Sequence, residues 1–177
     1  LTDYRLSLAA SRDYLASQTA LIQGKSSESI ELLRTAVAKN PLPLWQRRLG
    51  FQLSREGRDA EALPLLTDVE KRHPEQCGAR IDLAYLRARS ATGSLVRPAL
   101  ATLRGFADAP RLGGDPCGRG ERARAAQLSA ELTLATEPTA RAETRALLEK
   151  AQALALPDDV VLADAIALVW LRTGDAH

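Results

Sequence analysis

Apolar residues recur along this chain three and four positions apart, in segments of about 14 to 22 residues, and Gly and Pro fall where the segments end. This spacing predicts helices over about 2–23, 26–39, 43–56, 59–72, 78–92, 94–107, 120–136, 139–156 and 158–172. Pro43 and Pro98 fall in or near first helical turns, where a missing N–H leaves no intrahelical bond unmade. Asp59, two residues after Gly57, reads as an N-cap. Except over 108–119, the connections are only about one to five residues long, so consecutive helices must fold back on one another as antiparallel hairpins.

The hairpins repeat. Gly24 and Gly57 are 33 residues apart, and so are Pro41 and Pro74. The strongest copy runs Leu49-Gly50, Leu53, Gly57, Ala62, Leu66, Val69, Pro74; the copy before it places Ala16-Ser17, Ala20, Gly24, Ser29, Leu33, Ala36 and Pro41 in the same slots. This pattern resembles the tetratricopeptide repeat: Leu-Gly, an apolar residue, a turn Gly, a small Ala opening the second helix, two more apolar positions and a closing Pro. Beyond Pro74 the match loosens. Gly93 and Pro110 keep the order, Pro157 closes a fourth pair, and Ala163, Ile166, Ala167, Trp170 and Gly174 look like the first helix of a fifth unit. The resemblance implies an all-α fold, an α-solenoid of about nine helices in one repeat domain over 1–177. Its units would be 2–41, 42–75, 76–110, 117–157 and an incomplete 158–177. A hairpin cannot bury its apolar stripe alone and must stack on its neighbours. Gly50 and Ala62 would then sit where paired helices approach closest, with Leu49, Leu53 and Leu66 between units.

Composition agrees with helices and little else. The chain has 31 Ala, 30 Leu and 20 Arg, while Val and Ile together number only 10, too few for a sheet of ordinary size. A net charge of +2 gives no reason to expect a nucleic acid or an anionic membrane, and 4% aromatic residues supply no platform for stacking bases. No run of 18 apolar residues predicts a membrane span, and no signal peptide is recognisable. The first residue is Leu1 and the sequence contains no Met, which suggests a segment of a longer product.

Catalytic chemistry finds no foothold. His73 stands near a helix C-terminus, where a cation is favourable, and His177 is the last residue; neither has the setting of a metal or triad motif. The run Gly113-Gly114-Asp115-Pro116-Cys117-Gly118-Arg119-Gly120 lacks the preceding strand and the Gly-Lys-Ser/Thr ending of a phosphate loop, and reads as a connection between repeats. The expectation is therefore no enzyme, no cofactor and no metal. The cysteines are more telling. In stacked hairpins the first helices of successive units run side by side, and Cys77 and Cys117 each fall just before one of them. They would be neighbours, close enough for a disulfide and hence for an oxidising compartment such as a bacterial periplasm. The alternative is two independent thiols in a reducing one.

In the tetratricopeptide family the first helices line a concave groove. Carried onto this chain, the groove positions are Ser11, Tyr14, Gln18 and Leu21, then Leu44, Arg47, Phe51 and Ser54, then Asp82, Leu86 and Arg89. Tyr14, Phe51 and Leu86 beside Arg47 and Arg89 would suit an extended or helical peptide carrying a carboxylate. Arg47, Arg48 and Arg55 on one first helix, and Arg87, Arg89, Arg119, Arg122 and Arg124 on the next two, could instead form a solvated face paired with acids such as Glu56 and Asp82. The resemblance implies a non-enzymatic scaffold or adaptor for a protein or peptide, as in bacterial cell-envelope assembly or export. The alternative is a docking or sensing region of a larger enzyme or regulator. The final helix carries Val160, Val161, Leu162, Ile166, Leu168, Val169, Trp170 and Leu171 and is apolar nearly all round, so further repeats, a partner or a second copy would have to cover it.

Overall fold

The computed structural model describes residues 2–108 and 117–174, with side chains from residue 7 onward. Leu1, Pro110, Gly113 to Pro116 and His177 lie outside the described residues. Among the described residues there are nine α-helices, one 3-10 turn and no strand. The helices are α1 (Thr2–Ile22), α2 (Ser26–Lys39), α3 (Pro43–Arg55), α4 (Asp59–Arg72), α5 (Cys77–Ser90), α6 (Val96–Asp108), α7 (Arg119–Thr136), α8 (Arg141–Leu154) and α9 (Val160–Thr173). The chain divides into two compact units, Leu1–Pro74 and Glu75–His177. The division falls at the proline that closes the second predicted repeat.

In the unit of residues 1–74, α1 packs on α2, α2 on α3 and α3 on α4. The two hairpins turn on Gly24 and Gly57, whose φ angles of 74° and 75° are left-handed conformations that a Cβ would oppose. Pro43 opens α3 in its first turn as expected, whereas Asp59 is the first residue of α4 rather than its cap. Its position still places a carboxylate, with Glu61, at the positive end of the helix dipole. The second helices bury one stripe each: Ile30, Leu33 and Ala36 on α2, and Ala62, Leu66 and Val69 on α4. Each fully buried leucine contributes roughly 1.5–3 kcal/mol. Gly50 stands where α3 and α4 cross, with a position for Cβ only 2.7 Å from Leu66 Cγ.

In the unit of residues 75–177, α5 packs on α6 and α7, α7 also on α6, α8 and α9, and α8 on α9. The segment predicted as helix from Ser94 instead begins with a 3-10 turn, Gly93–Leu95, and Pro98 is third in α6. Crowding of α7 on several sides explains its sequence. Ala123, Ala125, Ala126 and Ala130 are all buried, because several neighbouring backbones leave room for little more than a methyl group. The second helices α6 and α8 again bury a single stripe, Leu100, Leu103 and Ala107 on one and Thr144, Leu148 and Ala151 on the other. Arg119 Nε and Nη2 donate to the carbonyls of Leu154 (3.0 Å) and Ala153 (2.8 Å), satisfying the open C-terminal end of α8. Asp159 caps α9, accepting from the Leu162 N–H at 3.0 Å.

Candidate interaction surface

The first helices of residues 1–74 meet through their side chains. Tyr14 on α1 stacks on Trp45 of α3, with centroids 5.0 Å apart and planes at 14°. The Arg48 guanidinium lies 5.5 Å from the Tyr14 ring centroid and donates to Gln18 Oε1. Deeper in, the buried Ser29 hydroxyl donates to the Ser17 carbonyl at 2.7 Å, with the Gln52 amide oxygen 3.1 Å away. Tyr14 and Gln18 are expected groove positions, whereas Trp45 and the contact of Arg48 with both residues were not expected from the sequence. Trp45 is 31 residues after Tyr14 and Arg48 is 30 after Gln18, close to one repeat length. That spacing is the signal of contact between successive first helices.

On α3, Leu44, Arg47 and Phe51 lie on the side away from the buried Leu49, Gly50 and Leu53. Leu44 is exposed and Arg47 and Phe51 are half-buried; Arg48 and Arg55 continue the same side as exposed cations. Ser54, the fourth expected groove position on this helix, is buried and offers no surface. On α1, Ser11, Tyr14 and Gln18 are half-buried and Leu21 is exposed. The surface of this unit thus combines an aromatic stack, three exposed or partly exposed apolar groups and three arginines.

The third expected set behaves differently. Asp82 and Leu86 are 1% and 2% exposed, so neither can touch a ligand on a groove. Asp82 is buried against α7, where Arg124 Nη1 lies 2.5 Å from its carboxylate. Tyr85, absent from the expected set, is buried beside them; its hydroxyl donates to Glu131 at 3.1 Å, and Gln127 Nε2 donates to the same carboxylate at 3.2 Å. Arg89 is half-buried with its guanidinium 5.7 Å from the Tyr85 ring centroid. The expected pairing of an arginine with Asp82 exists, but inside the unit and not on a solvated face. A buried pair of this kind fixes how α5 and α7 meet, because leaving either charge alone in the interior costs several kcal/mol.

The second helices carry their own ion pairs. Arg58 grips Glu61 with two bonds, of 2.7 and 3.1 Å, and Arg34 of α2 donates to the same carboxylate. These bonds, Arg58 first and Arg34 second, hold the Glu61 carboxyl down to about 2. An equivalent tie joins α6 to α8, where Arg104 pairs with Glu143 and donates to Thr133 Oγ1 at 2.7 Å.

Cys77 and Cys117 are joined by a disulfide, with Cα atoms 5.1 Å apart. Cys117 precedes α7 as expected, whereas Cys77 is the first residue of α5. Both are buried, and the bond ties the starts of two first helices together. Among the described residues no group of three or more His, Cys, Asp or Glu is arranged to hold a metal ion, and no helix is long and apolar enough to cross a membrane. His73 is the residue at the C-cap of α4, its N–H donating to the Val69 carbonyl at 2.8 Å.

No protein-family model matches the chain, and no curated protein sequence does. Among solved structures it is similar to MamA 41-end from Desulfovibrio magneticus RS-1, with a TM-score of 0.52 and 19% identity over 95% of this chain and 87% of that one. The likeness is one of fold: this chain has an all-α, tetratricopeptide-like helical-repeat fold.

Proposed function

We propose that the protein is a non-enzymatic scaffold that binds an extended or helical peptide on the first-helix surface of residues 1–74. The observation that carries this reading is the side of α3 bearing Leu44, Arg47, Arg48, Phe51 and Arg55 beside the Tyr14–Trp45 stack. Apolar side chains give a peptide somewhere to bury its own, and arginines add directional hydrogen bonds to a carboxylate. Tyr14 and Arg48 are already held by Trp45 and Gln18, so ordering them on binding costs little. Of the groove positions implied by the repeat resemblance, this proposal keeps Tyr14, Gln18, Leu44, Arg47 and Phe51 and assigns Ser54, Asp82 and Leu86 to the interior, with Arg89 held beside Tyr85.

The disulfide supports an oxidising compartment, since such bonds persist where thiols are not kept reduced. A role in bacterial cell-envelope assembly or export is the reading we propose, supported by this bond and by the tetratricopeptide-like fold. The test is a displayed library of random peptides selected on the whole chain. Enriched sequences should place an acidic residue next to apolar ones, and Arg47→Ala with Phe51→Ala should weaken the best peptide about tenfold or more while helical circular dichroism is unchanged. Unchanged affinity would put the binding surface elsewhere.

A further inference from the structure

The last helix has two apolar faces. Leu162, Ile166, Val169 and Thr173 are buried against the rest of residues 75–177, as the spacing i, i+4, i+7, i+11 requires of a helix lying on one neighbouring surface. The opposite side is open: Val160, Val161, Leu168 and Leu171 are 66%, 81%, 57% and 61% exposed. Val161, Asp164, Leu168 and Leu171 follow one another at intervals of three, four and three residues, the spacing of a seam that packs against a second helix. Arg172 flanks this seam, two turns beyond Asp164, and both charged residues are exposed.

The charges select the occupant and its direction. Two copies of α9 laid parallel and in register would set Asp164 against Asp164 and Arg172 against Arg172. Laid antiparallel about a two-fold axis near 166–168, they bring Asp164 of each copy within reach of Arg172 of the other, and Val161 opposite Leu171. The face is therefore complementary to itself in one orientation, which is the requirement of an isologous dimer contact. We propose that α9 is a self-association surface, joining two copies of this chain antiparallel through Val161, Leu168 and Leu171 with Asp164–Arg172 pairs at both ends.

A contact built on two 14-residue helices is small, so the association belongs in the micromolar range, around 10 µM as an order of magnitude. The face lies in residues 75–177 and the proposed peptide surface in 1–74, so failure of one proposal leaves the other standing. The test is sedimentation velocity of the whole chain across a concentration range centred on about 10 µM. The wild-type protein should pass from monomer to dimer. Asp164→Arg alone or Arg172→Asp alone should raise the dissociation constant about tenfold or more, and the two together should restore it, because the pairs re-form with their signs exchanged. Leu168→Glu, at an exposed position, should abolish the dimer with helical circular dichroism retained. A chain that is monomeric throughout, as it would be if a following helix or a different protein covers this face, overturns the proposal. So does a dimer indifferent to the single reversals, or a double reversal as weak as either single one.

Discussion

A methyl group at Gly50 would come within 2.7 Å of Leu66 Cγ, a branch carbon on a side chain with no exposed surface. Glycine in mid-helix ordinarily costs up to about 1 kcal/mol relative to alanine, so Gly50→Ala would stabilise an exposed helix. Here overpacking outweighs that gain, since it costs about 1–3 kcal/mol where side chains cannot relax. Gly50→Ala should lower the stability of the chain by about 1 kcal/mol, read as a drop in the urea midpoint with an unchanged slope. A raised midpoint would mean that the two helices do not meet this closely. In a Leu66→Ala background, which itself costs about 2–5 kcal/mol, Gly50→Ala should cost less than it does alone.

That contact was legible in the sequence because the repeat places its smallest residue where its helices cross, and Gly24 and Gly57 were legible because their turns demand left-handed backbone. The third groove set was not. Beyond Pro74 the register rests on a spacing of 36 and on no Leu-Gly pair, so periodicity cannot say which side of α5 is outward. Tertiary crowding then decides: α5 is buried on nearly all sides from Cys77 to Leu86, and Asp82 with it. Polar residues in a helix that crowded pair internally, which single-helix patterns do not reveal. Trp45 and Arg48 escaped for a related reason. Their role lies between successive repeats, whereas groove positions are defined within one.

The bond between Cys77 and Cys117 spans a sequence separation of 40 residues and closes a loop that an unfolded chain would otherwise leave free. The chain-entropy relation gives about 4 kcal/mol for a loop of this size, and measured values cluster near 2–4 kcal/mol. Titration of the denatured, unreduced protein should find no reactive thiol from either cysteine. Cys77→Ser with Cys117→Ser should lower the unfolding free energy by about 2–4 kcal/mol. Two free thiols per chain would remove both the stabilisation and the argument for an oxidising compartment.

The Tyr14–Trp45 stack gives residues 1–74 an optical reporter. The chain has two tryptophans, so in a Trp170→Phe background the emission of Trp45 stands alone. Tyr14→Ala should shift that emission to the red as water reaches the exposed ring face, and cost about 1–3 kcal/mol through lost burial and lost ring contact. Arg48→Ala should cost less than about 1 kcal/mol, because a cation at a partly exposed ring contributes little. A peptide that binds as proposed should change the emission of this tryptophan. Unchanged emission on saturating binding would place the peptide away from the stack.

Glu61 contributes to the acid response of residues 1–74. Its carboxyl ordinarily titrates near 4.5 and is held down to about 2 by the Arg58 hydrogen bonds and then by Arg34. A lowered folded-state value means that the unfolded chain binds the proton more readily, so the stabilisation is complete above about pH 4.5 and disappears as pH falls toward 2. Glu61 and both arginines are partly solvated, so salt should weaken the effect. Glu61→Gln should therefore be less stable than the wild type at pH 7 and approach it as pH falls through 2, with the gap narrowing in high salt. Carboxyl-carbon magnetic resonance should place the Glu61 midpoint near 2. Arg58→Gln should raise that midpoint more than Arg34→Gln, since Arg58 makes the larger contribution. A midpoint at the ordinary value would mean that neither arginine holds this carboxylate, whereas a larger response to Arg34→Gln would show that the α2-to-α4 tie and not the turn of α4 governs it.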